Sequence, residues 1–357
     1  LSDFILTEKD GLPGVFSDYY DEMERLSRAG YVSKRVKRMV FDPMVAHASF
    51  VRADSHAVVA EFLGAARMNL KYAPSITAVS ETMSGVGPGF APSFSEPSAL
   101  DVLVAFADEP DKGMDQDLWQ YADYGFGKIP YGSETGFSSQ APFHMQFVNE
   151  NFAVRMSAPE ILDGMTLERM LLFSRLAKFA HAKGHHYWGY RFTAWALHYL
   201  EDICQPYHAK ALPPAGFWYY VKLAFSFQKE KIKRETTQLV HDRHIVYEDY
   251  AAKALNTDEK GVDKKLKKAL QASPVYFEAH DEVTLFKQMA LMSARRAREL
   301  DRAVAIAENG ATGGMAIEGA ITGGDAAVVA ATEELFALMG RAVRTFVKQS
   351  ASSALSP

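Results

Sequence analysis

Apolar residues along this chain recur mostly at helical spacing and seldom alternate, so the pattern predicts helices and few strands. An amphipathic segment covers 15 to 29 (VFSDYYDEMERLSRA), and Ser55 stands as an N-cap before the apolar face of "SHAVVAEFLGAARMNL". Two further helices, "TLERMLLFSRLAKFAHAK" and "RFTAWALHYLEDICQ", are separated at Gly184. More follow at about 217 to 229, 234 to 254, 260 to 272, 280 to 307 and 325 to 348. Residues 75 to 99 are rich in Ser, Gly and Pro and read as an irregular loop or lid, and 309 to 324 as a flexible connection to the last helix. The fold class expected is all-α, without internal repeats. "GAITGGDA" has neither the Lys-Ser/Thr of a phosphate-cradling loop nor a strand before it.

Composition narrows the class. With 357 residues, 48% of them hydrophobic and 12% aromatic, the chain can bury a core as one large or two modest domains. Apolar runs long enough to cross a bilayer are missing from it. Its 39 basic and 44 acidic residues leave a net charge of -5, which argues against wrapping nucleic acid through phosphate contacts, and a stable nucleic-acid complex is not expected. One cysteine, Cys204, excludes a disulfide framework, a thiolate zinc knuckle and an iron–sulfur site. Any metal must be held by nitrogen and oxygen. The chain opens at Leu1 with neither methionine nor hydrophobic leader, which fits a processed mature form or a trimmed recombinant chain.

The stretch "TAWALHYLEDICQPYHAK" carries His198 and Asp202 one turn apart, then His208 just beyond Pro206. Residues four apart on a helix share a face, which suits an imidazole and a carboxylate meeting at one ion. Pro206 ends the helix and lets His208 fold back. A lone pair at this spacing is commonly a surface hydrogen bond. A second pair, His244 and Glu248 in "HDRHIVYEDY", changes the weighing in a chain with 11 histidines. Imidazoles and carboxylates together fit catalytic zinc, because structural zinc leans on cysteine. His181, His185 and His186 flank Gly184 in what reads as a solvated turn and are left out, as are His241 and His280.

"HYLEDICQPYHA" resembles the signature of the zinc-dependent phospholipase C and P1-type nuclease superfamily, nearer the phospholipase branch. The resemblance implies a multi-helical domain with a trinuclear-type cluster of two or three Zn2+ ions. It implies that His198 binds the first zinc, that Asp202 bridges two, and that His208, His244 and Glu248 hold another. Upstream it offers His56 in "ADSHAVVAEFL" and His144 in "APFHMQF". Two carboxylates compete for the next ligand, Asp111 in "FADEPDKG" and Asp123 in "QYADYGFG", and Asp111 is preferred, also as the general base or orienter of the attacking water. The family's N-terminal tryptophan ligand is replaced by Leu1, so the terminus folds back, His47 substitutes, or the third site is altered or empty. The resemblance covers about 45 to 255, which divides the chain into an N-terminal extension (1–44), a catalytic core (45–255) and a C-terminal helical extension (256–357).

The activity implied is hydrolysis of a phosphodiester by in-line attack of a zinc-bound hydroxide. The segment 214 to 235 adds Trp218, Tyr219, Tyr220, Phe225 and Phe227 to a basic tail, the composition of a peripheral membrane contact. That favours a phosphatidylcholine-type glycerophospholipid. A P1-type single-strand nuclease, whose aromatics would stack bases, and a non-catalytic metal-stabilised binding protein are the alternatives. Such a phospholipase belongs outside the bacterial cytoplasm, as a secreted, periplasmic or membrane-associated protein.

Overall fold

The structure is a computed structural model describing residues 141–184, 186–256, 262–271, 276–310 and 326–354, with short pieces earlier at 25–26, 28–29, 39–40, 99, 103, 106–107, 110–112 and 120–121. The helix from Ser55, His47, His56, Asp123, His185 and nearly all of the 75–99 loop and of the 309–324 connection lie outside them. The described residues are overwhelmingly helical. Among the described residues from Ala141 onward, ten α-helices follow one another: α1 (Ala141–His144), α2 (Phe152–Ser157), α3 (Thr166–Ala182), α4 (His186–Cys204), α5 (Pro206–Ala209), α6 (Phe217–Phe225), α7 (Lys229–Asn256), α8 (Val262–Gln271), α9 (Glu282–Gly310) and α10 (Ala326–Ala354). The β structure among the described residues is a two-residue antiparallel pairing of Met39–Val40 with Gln120–Tyr121.

The chain divides into two compact units. The first contains Asp111, α1, α3 and α4 as far as Tyr199. Its core follows from the spacing of Trp188, Phe192, Trp195 and Tyr199, which lie four, three and four residues apart and so share one face of α4. Phe173 of α3 packs on that face, edge-on to Trp195 at 5.1 Å and stacked on Tyr199 at 6.0 Å. The amide of Met165, just before α3, donates to the Pro142 carbonyl at 2.7 Å and ties α3 to α1.

The second unit holds residues 145–162 and 200–347. Its core joins Val246, Tyr247 and Tyr250 of α7, Leu266 of α8, Leu300 and Val304 of α9, and Val328 and Phe336 of α10. Asp301, buried on α9, accepts from Tyr207 Oη at 3.2 Å and from Arg243 Nη1 at 3.0 Å. This charged pair thereby fixes the neighbours of His208 and His244. Glu150, with its side chain fully covered, accepts from the amides of Ala211 at 2.7 Å and Leu212 at 3.4 Å and pairs with Lys210 at 3.1 Å, which anchors the chain after α5.

Several helix limits differ from the sequence expectation, among them the end of α10, which runs to Ala354 instead of 348. The segment expected at 217 to 229 stops at Phe225, and α7 begins at Lys229 instead of 234. Ser226 explains the break: its hydroxyl accepts the Gln228 amide at 3.0 Å, a local bond that competes with helix continuation. Helix α4 begins at His186, five residues before Arg191, and its first turn already carries the buried Trp188 of the apolar stripe.

Candidate metal centres

Within the first unit, Asp111 in a one-turn helix (Pro110–Lys112), His144 at the end of α1 and His198 on α4 converge. His144 Nδ1 lies 3.1 Å from His198 Nε2, and Asp111 Oδ1 lies 3.6 Å and 3.4 Å from these two nitrogens. The imidazoles are buried, whereas the Asp111 side chain keeps 45% of its surface. Tyr199 supports both rings, and Arg169 of α3 donates to its hydroxyl at 2.9 Å.

The second unit builds a like set at one face of α7. Helix α4 ends at Cys204, and Gln205, extended at φ -79°, caps α5 by accepting the Tyr207 amide at 2.6 Å. Pro206 starts that short helix, which delivers His208 toward His244 and Glu248. His208 Nε2 lies 3.0 Å from His244 Nε2 and 3.2 Å from Glu248 Oε1, and His244 Nε2 donates to that oxygen at 2.7 Å. Both rings are buried and the carboxylate side chain is 47% exposed.

Burial opposes charge on all three groups of this second set. On His208 it is outweighed by Asp202 and Glu248, which push its pKa up to about 10. On His244 burial prevails and lowers the pKa, assisted by the neighbouring His208. Glu248, although its site is partly desolvated, is held well below the usual carboxylate range by hydrogen bonds from both histidines. His208 therefore carries one proton beyond its neutral form at pH 7, and a metal ion would displace it.

A tetrahedral zinc with bonds of about 2.0–2.1 Å sets its donor atoms roughly 3.3 Å apart. The first set, with sides of 3.1 to 3.6 Å, matches that triangle. The second is slightly contracted, as hydrogen bonds make it. Each offers two imidazoles and one carboxylate, a donor chemistry suited to zinc, and each has its open side at the carboxylate. Three protein ligands with one position left for solvent is the arrangement of catalytic zinc.

Of the residues singled out in the sequence, six are gathered into these two sets, and His56 lies outside the described residues. Asp202 joins neither set: its Oδ1 is 3.1 Å from His208 Nδ1, the ring nitrogen not used in the triangle. At this distance the carboxylate holds the ring and raises its basicity. Sequence reasoning passed over Gln205, whose Nε2 donates to Glu248 Oε1 at 3.3 Å, and Asp301. The Gln-Pro preceding His208 is the one local signal for the former; the latter lies 94 residues from its partner Tyr207 and gives none. His241 and His280 are exposed. In the segment expected to meet a membrane, Trp218, Phe225 and Phe227 are exposed, the first two by 77% and 84%. Tyr219 and Tyr220 are half-buried, and the Tyr220 hydroxyl accepts from Asn151 at 3.0 Å. No described helix is long and apolar enough to cross a membrane.

Comparison with known proteins returned no matching family model, no matching curated protein and no matching solved structure.

Proposed function

We propose that this chain is a zinc-dependent phosphodiesterase whose substrate is a glycerophospholipid, in the manner of the phospholipase C and P1 nuclease superfamily its signature resembles. The observation that carries the reading is the pair of triangles, each made of two buried imidazoles and one carboxylate at an open edge. His144, His198 and Asp111 would hold one ion, and His208, His244 and Glu248 another. Zinc in such a set supplies a Lewis acid and a bound water whose pKa falls from 15.7 to about 7.

The chain's own groups set the rest. Two neutral imidazoles and one carboxylate leave a set one negative charge, so a divalent ion makes it net positive and attractive to a phosphodiester despite the acidic chain. Asp111, half open to solvent, would orient the attacking water and accept its proton. Gln205 steadies Glu248, and Asp202 turns His208 so that Nε2 faces the set. The exposed Trp218, Phe225 and Phe227, followed by Lys229, Lys231, Lys233 and Arg234, support lipid as the substrate and a peripheral contact with a bilayer surface.

The test is hydrolysis of phosphatidylcholine vesicles and of single-stranded DNA in parallel, with zinc per chain measured on the same sample. Phosphocholine release that a chelator stops and zinc restores, and that His198→Ala abolishes while helicity is kept, is the expected result. Nucleotide release instead would move the substrate to nucleic acid. Zinc bound with no hydrolysis of either would refute the proposed substrates, and full activity in His198→Ala would remove the first set from the mechanism.

A further inference from the structure

Two histidines outside both sets meet where α3 turns into α4. Gly184 adopts φ +81°, the left-handed conformation that a side chain disfavours, and lets the chain leave α3 after Ala182 and re-enter a helix at His186. The reversal places His181 Nδ1 3.2 Å from His186 Nδ1, with the rings tilted at 38° and their centroids 5.5 Å apart. His181 is held from two more sides. Tyr190 meets its ring edge-on at 4.7 Å, and the imidazole lies over Gly189, where an added Cβ would come within 2.5 Å of it. His186, at the start of α4, is exposed.

Two imidazole nitrogens at this separation can share one N–H···N bond or bind one ion side by side. The bond, at a partly exposed place, is worth only about 1 kcal/mol against competing water. Zinc bonds of about 2.0–2.1 Å at a tetrahedral angle put donor nitrogens roughly 3.3 Å apart, close to the 3.2 Å found here. Burial, and then the neighbouring His186, lower the pKa of His181, so its ring stays neutral at pH 7 and keeps a lone pair for a metal. We propose that His181 and His186 form a further site for zinc or another imidazole-preferring divalent metal.

This site differs in kind from the other two. Among the described residues no carboxylate or third imidazole joins the pair, so water completes the shell and the ion keeps its full charge. Its role is that of an exchangeable clip between the end of α3 and the start of α4, the helix that carries His198. The helix dipoles add little net bias, since the ion would meet the favourable C-terminus of α3 and the unfavourable N-terminus of α4 together.

Equilibrium dialysis of the full chain against saturating zinc, followed by elemental analysis, tests the site directly. His186→Ala should hold one zinc ion fewer than the natural sequence with unchanged far-UV circular dichroism, and its thermal midpoint should rise less on adding zinc. His186→Cys, which restores a zinc donor, should recover the lost ion. Equal zinc content in the natural chain and His186→Ala overturns the proposal, whatever that content is. The comparison is independent of whether either of the two histidine–carboxylate sets is catalytic.

Discussion

Asp202→Asn separates two effects that one carboxylate exerts on His208. Without metal, His208 keeps a proton: burial opposes it, but Asp202 at 3.1 Å and Glu248 at 3.2 Å push the pKa up to about 10. A zinc ion needs the deprotonated ring. At pH 7 the proton stands 10 − 7 = 3 units in the way, roughly 4 kcal/mol at 1.36 kcal/mol per unit, and the barrier is gone above pH 10. Asparagine keeps the shape and removes the charge, which lowers this barrier. It also loses the partner that orients the ring and raises its basicity, an effect of about 10- to 100-fold in metal affinity. Near pH 10 only the second effect remains, so the variant should bind zinc about 10- to 100-fold more weakly there. Toward neutral pH the deficit should narrow. Metal-free stability follows the same proton: a raised folded pKa stabilises fully below the ordinary 6.5, and that gain fades as pH climbs through about 10. The assay is zinc competition against a colorimetric chelator in a His144→Ala/His186→Ala background, which removes the first set and the His181–His186 pair so that the second set reports. Calorimetry in buffers of differing ionisation heat gives the protons released, about one per zinc near pH 8. A zinc affinity flat with pH, or a deficit that widens toward acid, would refute the reasoning.

Two further predictions concern stability. Glu168 of α3 is fully buried with neither carboxylate oxygen hydrogen-bonded, and burial raises its pKa well above the ordinary value of 4.5 in spite of the adjacent Arg169. Its raised pKa favours the fold below 4.5 and disfavours it increasingly as pH rises toward the folded value; Glu168→Gln should therefore gain on the natural chain as pH rises above 4.5, and a urea-midpoint difference independent of pH would contradict this. At Gly340 of α10 an added Cβ would fall inside the carbonyl of Leu270 at the end of α8. Gly340→Ala should cost about 1–3 kcal/mol as an overpacked contact, and a thermal midpoint equal to that of the natural chain would show that the two helices part freely.

The pairs His198/Asp202 and His244/Glu248 could be read from the sequence because helical spacing alone puts residues four apart on one face. The same logic found α3, α8 and α9 to within a few residues, since an apolar stripe of period 3.6 reports its own helix. It failed at Ser226, where one side-chain hydrogen bond decided the boundary.

Spacing did not determine which member of each pair joins which set. His198 meets His144, 54 residues away, and Asp111, while Asp202 turns to His208. The sequence left Asp111 and Asp123 as rivals, and among the described residues Asp111 stands beside the two imidazoles. It read the His181–His186 region as a solvated turn, although a left-handed Gly184 and a bare Gly189 bring the two rings together. Local pattern fixes which face of a helix a side chain occupies, because the backbone repeats every 3.6 residues. Which faces then approach one another depends on the packing of residues far apart in the chain, here the aromatic stripe of α4 on Phe173 and the Asp301 bonds that hold α5 and α7, and no window of sequence contains both partners.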